Sequence, residues 1–198
     1  MVKDKKLTFV RDLKVEELIN ILSVMQTEER HYKNRDELTN VLLKKKDYIF
    51  PTRKSVSYKS AGNTLITLSN LNLIDNHSKL NNKGKYLAKI SRDNKKTFLR
   101  YLSNILLFEG NWIMLIRAIE KIEKEDKNSL KDTREITRIL IKEGGIKPGV
   151  NIRDMASRIR TNYIGWLEYI GLINITEKGI KVNRQVISEI KTKFKLPY

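Results

Sequence analysis

Short polar side chains recur on one side of a predicted helix in the first half of the chain. Leu65, Leu68 and Leu71 recur every three residues and predict an apolar face. The other face is predicted to expose four small polar groups, Ser60, Asn63, Thr64 and Thr67, and the cation Lys59 is predicted just before the helix. Hydroxyl and amide groups of this size bond base edges or phosphates, so this face is the first candidate for nucleic-acid contact.

This helix belongs to an internal repeat. The segment Asn63–Ile74 aligns with Asn162–Ile173 without a gap, at an offset of 99 residues, with four identical positions. A similar string follows each copy: Leu80-Asn-Asn-Lys-Gly84 in the first and Ile175-Thr-Glu-Lys-Gly179 in the second. Two matching elements in the same order favour duplication over chance similarity.

Each copy is predicted to contain a helix, a turn, a second helix and a short β-hairpin. The first helices are predicted at 35–45 and 152–159. The second helices end at Asn72 and Gly171, residue types that tolerate the left-handed backbone conformation. A Leu-Ile strand then begins each hairpin, and the first hairpin is predicted to offer three cations to phosphates: Lys79, Lys83 and Lys85.

The second copy has arginine at a predicted outward position where the first copy has lysine. Arg158 corresponds to Lys59 and Asn162 to Asn63, while Arg160 lies between them. Because a guanidinium can bond guanine or phosphate through two parallel hydrogen bonds, this face is a second candidate for DNA contact.

Three aromatic residues offer a different interpretation. Tyr163 and Trp166 are predicted on the outward face of the second copy, and Trp112 lies between the copies. Large aromatic residues often anchor protein interfaces, so a partner could bind through Trp166 and Tyr163 or through Trp112. For Trp166, packing inside the protein is favoured.

The distribution of charge is more informative than its total. The 198 residues carry a formal net charge of +17, part of which fits a coding bias toward Lys, Ile and Asn. Between Lys44 and Arg100, however, 14 basic residues face three acidic ones, a net +11 in 57 positions. This concentration favours a surface that binds a polyanion.

Several function classes lack the residues they need. The chain has no Cys and two His, which excludes disulfides, thiolate zinc sites and a three-histidine site. It also lacks a GxxxxGK phosphate loop and an HExxH pair, so we expect no catalytic centre, no metal and no cofactor. No apolar run reaches about 20 residues and the charged N-terminus is unlike a signal peptide, which predicts a cytoplasmic protein without a membrane partner.

The segments 73–84 and 172–179 carry a resemblance to the winged helix-turn-helix superfamily. They are similar to its run from the recognition helix into the wing, and the resemblance covers about two thirds of the chain. The stretch from Gly165 to Ile173 also resembles the DNA-recognition regions of type IIS restriction endonucleases, which carry tandem winged-helix modules.

These observations predict a mainly α protein with short β-hairpin wings, built as two tandem winged-helix domains. The domains are expected at residues 1–92 and 132–198, joined by connecting helices at 93–131. The expected function is sequence-selective binding of double-stranded DNA as the recognition component of a restriction or defence system. A transcription regulator, a plasmid replication initiator and a protein-interaction subunit of a chromosome-condensing complex are the alternatives.

Overall fold

The computed structural model describes residues 6–11, 13–125 and 132–193. The chain divides into two units: an N-terminal unit of residues 9–98, and a C-terminal unit of residues 99–198 together with the residues up to Thr8. The segment predicted to connect the domains belongs to the C-terminal unit from Leu99 onward. Its predicted end at residue 131 lies outside the described residues.

The N-terminal unit is helical, and small polar residues define where its helices begin. Asn34, Ser57 and Asn81 each accept a backbone hydrogen bond in the first turn of the helix that follows. Its helices are α1 (Val15–Thr27), α2 (Arg35–Lys44), α3 (Lys46–Ile49), α4 (Tyr58–Asn70) and α5 (Asn82–Asp93). Helix α2 packs on α4 and α1 packs on α5, burying a core of leucines. Helix α6 (Lys95–Asn104) contains the point at which the units divide.

The C-terminal unit has the same order of elements, with a true hairpin. After a π-helical segment at Ile105–Glu109, its elements are α7 (Ile113–Lys124), α8 (Thr133–Lys142), α9 (Ile152–Arg158), a second π-helical segment (Ile159–Tyr163), α10 (Ile164–Tyr169), β1 (Ile173–Thr176), β2 (Gly179–Val182) and α11 (Arg184–Lys193). Strands β1 and β2 pair antiparallel, with Ile173 opposite Val182. Helix α7 packs on α8 and β2, and α8 packs on α9. The chain is therefore mainly helical with a small antiparallel sheet, as predicted.

Residues 152–169 form one continuous helix, which we call the long helix. The backbone stays right-handed helical through Arg158, Ile159, Tyr163 and Ile164, where α9, the π-helical segment and α10 join. The predicted turn between two separate helices in this region is wrong. The helix that precedes the long helix is α8, and residues 143–151 form the turn between them.

The aligned turns of the repeat have matching geometry. Leu73 N–H donates to the Leu68 carbonyl and Leu172 N–H to the Leu167 carbonyl, both at 2.9 Å. The preceding residues, Asn72 and Gly171, both have positive φ, 53° and 77°. The ungapped alignment at an offset of 99 therefore pairs the same structural positions.

The second half of the predicted repeat is misaligned. Residues 80–84 begin α5, whereas residues 175–179 form the tip of the β1–β2 hairpin. The correct partner of Asn81 is Asn183, because their N–H groups donate to the Leu73 and Leu172 carbonyls, and both side chains accept a bond from the helix that follows. The second connection is consequently longer than the first.

Helix α2 corresponds to α8, not to 152–159 as the sequence suggested. When α2 and α8 are aligned at an offset of 98 residues, four pairs of positions are identical: Glu37 and Glu135, Thr39 and Thr137, Leu42 and Leu140, and Lys44 and Lys142. Both threonine hydroxyls donate to the carbonyl four residues earlier, each at 2.8 Å. The duplication thus extends over the preceding helix.

Candidate nucleic-acid interface

The polar face predicted on α4 is only partly exposed. Lys59 is exposed, and Ser60 and Asn63 are half-buried. Thr64 and Thr67 are fully buried, so their predicted outward placement is wrong. Residues four apart on a helix differ by only about 40°, which places Thr64 beside Leu68 and Thr67 beside Leu71 on the apolar face.

Both buried threonines are satisfied within the unit. The Thr64 hydroxyl donates to the Ala61 carbonyl at 2.6 Å. The Thr67 hydroxyl accepts from Arg11 N–H at 3.0 Å, which ties the segment before α1 to α4. Neither side chain reaches the surface on which a nucleic acid would bind.

The three lysines predicted on a wing lie elsewhere. The Lys79 ammonium donates to the Glu29 and Tyr32 carbonyls and lies 3.9 Å from the centroid of the Tyr32 ring. Lys83 and Lys85 lie in the first turns of α5, and Lys85 pairs with Glu29 at 3.3 Å. The predicted first wing is wrong, because the connection between α4 and α5 contains a single bridge, Ile74 with Leu80.

Gly84 explains why the α4–α5 connection is so short. A Cβ at this position would lie 2.1 Å from the Leu73 carbonyl oxygen. Glycine therefore lets the start of α5 cross directly over the end of the α4 turn, where Asn81 caps the new helix through a 3.0 Å bond from Gly84 N–H.

The predicted cations of the second copy do lie at the surface. Arg158 and Arg160 are exposed on the long helix, and Asn162 is half-buried. Arg153 and Ser157 are also exposed on this helix. Arg153, which was not among the predicted contacts, lines the same groove as Arg160, whereas Arg158 lies on another side of the helix.

The aromatic residues proposed as partner anchors are buried in the C-terminal unit. Trp112, Tyr163 and Trp166 are at most 2% exposed. The Trp112 ring centroid lies 4.9 Å from that of Tyr163 and 6.1 Å from that of Trp166. Trp112 Nε1 donates to the Thr8 carbonyl at 3.0 Å. The outward placement predicted for Tyr163 is wrong, and the internal packing favoured for Trp166 is confirmed. These side chains join α7, the long helix and the N-terminal segment of this unit.

A groove of about 630 Å³ lies between α8 and the long helix. Arginines line both of its walls: Arg134 and Arg138 on α8, and Arg153 and Arg160 on the long helix. We call it the arginine groove. Its remaining lining comprises Asp132, Thr133, Glu135, Ala156 and Ser157.

The charges that line the arginine groove favour an anion over a cation. Arg138 pairs with Glu135 on its own helix at 2.8 Å. Guanidinium groups remain charged at any ordinary pH, so the groove's four cations exceed its two carboxylates. Planar guanidiniums bind phosphate with short, charge-assisted hydrogen bonds. The signal for this groove was present in the sequence as Arg134 and Arg138, one helical turn apart on the polar face of α8.

Neither a scan against protein-family models nor searches of the curated proteins and the solved structures finds a match for this chain.

The described residues offer neither a metal site nor a single membrane-spanning helix. They contain no group of three His, Cys, Asp or Glu residues that could hold a metal ion. No single helix in the described ranges is long and apolar enough to cross a membrane. One bent pair of helical segments, Lys95–Glu109 and Ile113–Lys124, has the length and composition of a membrane span only when its two parts are taken together.

Gly165 is an exposed glycine inside α10, and it leads to a stability prediction. A Cβ there meets no atom within 4 Å. We expect Gly165→Ala to raise the free energy of unfolding by about 1 kcal/mol, because alanine is the better helix former. The matched control is Gly171→Ala, where φ is 77° and strain should lower stability by about 1 kcal/mol. Urea denaturation of both variants measures the effect, and a loss of stability in Gly165→Ala contradicts the expectation.

Proposed function

We propose that this chain binds duplex DNA through exposed arginines of the long helix and does not itself catalyse a reaction. The observation that carries the proposal is the exposure of Arg153, Arg158 and Arg160 on a single helix. An α-helix fits the major groove, where arginine can bond guanine edges and neighbouring phosphates.

The order of elements supports the same proposal. In the C-terminal unit, α7, α8 and the long helix precede the β1–β2 hairpin and α11, which is the order of a winged helix. The N-terminal unit repeats it as α1, α2, α4, one bridge and α5. We therefore propose two tandem winged-helix domains, of which the first has a wing reduced to that bridge.

The two units offer different groups to the duplex. In the C-terminal unit Arg158, Arg160 and Asn162 are the proposed contacts with bases and phosphates. In the N-terminal unit exposed Lys59 and half-buried Asn63 keep this proposed role, while Ser60 accepts a bond from Arg53 at 3.1 Å. Lys83 and Lys85 would approach DNA only from α5.

The biological setting rests on the sequence resemblance. We propose the recognition component of a restriction or defence system. A transcription regulator or plasmid replication initiator would use the same DNA-binding surface. The alternative of a protein-interaction subunit loses its suggested anchors, because Trp112, Tyr163 and Trp166 are buried.

Salt-dependent binding to a random-sequence duplex tests the proposal. We expect binding at low salt that weakens steeply as salt rises, because lysine and arginine release counterions from phosphates. Arg158→Gln with Arg160→Gln is expected to lower the log–log salt slope by about 1.8, since each phosphate that is no longer neutralised lowers it by about 0.9. Fluorescence anisotropy at several salt concentrations provides the measurement.

The control removes the same charge from the end of α8 and from the turn that follows it. Lys142→Gln with Lys147→Gln changes two cations that lie outside the long helix. This variant should keep a slope close to that of the unchanged chain. If the unchanged chain does not bind duplex DNA at low salt, the proposed function is wrong.

A further inference from the structure

The two copies differ most clearly at the cleft between their paired helices. Aligning α2 with α8 places Asp36 at the position of Arg134 and Asn40 at the position of Arg138. The buried positions of these helices are similar in type, as Leu42 and Leu140 show. The α8 wall of the arginine groove therefore has two cations where the first copy has an acid and an amide.

The cleft of the N-terminal unit is bridged by its own side chains. The Tyr58 hydroxyl at the start of α4 donates to an Asp36 carboxylate oxygen on α2 at 2.8 Å. This hydrogen bond raises the pKa of the Tyr58 hydroxyl. Arg35 Nη2 on α2 donates to the Gly62 carbonyl on α4 at 3.1 Å. Polar groups on both walls are thus engaged with each other.

The arginine groove lacks such bridges in the described part of the chain. Among those residues, no hydrogen bond or ion pair joins Arg134 or Arg138 to the long helix. Asp132 and Glu135 offset part of the positive charge of this lining, and the remaining excess of two cations favours an anion between the walls. A volume of about 630 Å³ is large enough for more than one phosphate group.

We propose that the arginine groove binds adjacent phosphate groups of one nucleic-acid strand, and that the matching cleft of the N-terminal unit does not. The choice of a nucleic-acid strand rests on the proposed function. The phosphate chemistry rests on the groove itself, since arginines from two helices line it. The duplicated units have accordingly taken different roles at equivalent positions.

A charge-matched pair of variants tests the groove with duplex DNA. Arg134→Gln with Arg138→Gln removes the cations of the α8 wall. Lys142→Gln with Lys147→Gln removes one cation at the end of α8 and one in the turn after it. We expect the groove variant to bind at least about tenfold more weakly at low salt, with a log–log salt slope lower by about 1.8. The control should stay within about twofold of the unchanged chain. Urea denaturation of each variant shows whether it is folded.

A third variant tests the difference between the two clefts. Tyr58→Phe removes the hydrogen bond to Asp36 without changing charge. We expect its duplex binding and salt slope to match those of the unchanged chain. A loss comparable to that of the groove variant would overturn the assignment of phosphate binding to one cleft alone.

Inorganic tripolyphosphate tests whether the groove binds phosphate groups that do not belong to a nucleic acid. It should raise the thermal unfolding midpoint of the unchanged chain and of the lysine control, and raise that of the groove variant much less. If duplex DNA binds and the groove variant behaves like the control in both assays, the inference is wrong and the proposed function stands. If tripolyphosphate binds through the groove while duplex DNA does not bind, the proposed function is wrong and the groove serves a small phosphorylated ligand.

Discussion

Trp112→Ala is expected to lower the free energy of unfolding by about 3–5 kcal/mol, a typical loss for removing a large buried aromatic side chain. Trp112 is fully buried against Tyr163 and Trp166. Its indole N–H also holds the Thr8 carbonyl at 3.0 Å. The substitution therefore leaves a cavity among α7, the long helix and the N-terminal segment, and an unpaired carbonyl beside it.

Urea denaturation followed by circular dichroism measures the Trp112 effect. Trp112→Phe is the matched control, since it keeps most of the ring volume and loses the hydrogen bond. Its expected cost is about 1–2 kcal/mol. If Trp112→Ala left the stability unchanged, the assignment of Trp112 to the core would be wrong. Trp112 would then again be a candidate anchor for a protein partner.

Arg53→Ala is expected to lower the free energy of unfolding by about 3 kcal/mol, at the lower end of the range for breaking a buried ion pair. Glu17 is only 2% exposed and receives two bonds from the Arg53 guanidinium, at 2.7 and 2.6 Å. Removing the arginine leaves a buried carboxylate without its counter-charge, which typically costs about 3–5 kcal/mol. We take the lower figure because the Arg53 side chain is 21% exposed and water can partly replace it.

The double variant Glu17→Gln with Arg53→Met isolates the cause. The amide oxygen that replaces the Glu17 carboxylate can still accept from Lys14 N–H, a bond of 2.9 Å in this structure. Because no unpaired charge remains buried, this chain should recover most of the stability lost in Arg53→Ala. Equal losses in the two variants would show that packing of Arg53 over the Phe50 ring, at 4.6 Å, is the larger contribution.

The sequence was a good guide to what depends on local backbone chemistry. Asn72 and Gly171 identified the two helix ends, because few residues tolerate a positive φ. The mainly helical class followed from apolar spacing. The string around Gly84 was misinterpreted because it shares only Lys-Gly with the string around Gly179, which forms a hairpin tip. At Gly84 the backbone instead approaches the Leu73 carbonyl oxygen closely.

Predictions about which face is exposed were weaker. A stripe of leucines at every third residue drifts around a helix, so it spreads over the neighbouring Thr64 and Thr67 positions. The charge concentration between Lys44 and Arg100 included Arg53 and Lys79, which are engaged inside the N-terminal unit. The arginine groove was missed because it needs α8 and the long helix side by side, an arrangement that no local pattern contains.

The π-helical segment inside the long helix changes the angle between the side chains that precede it and those that follow it. A π turn accommodates one more residue than an α turn, so side chains before the segment are rotated by about 100° relative to those after it. Arg153 precedes the segment, whereas Trp166 follows it. The extra residue of the π turn therefore sets the direction of the arginine side chains apart from that of the buried aromatic side chains. If the proposed function is right, substitutions at Arg153 can alter the proposed binding surface without disturbing the aromatic core.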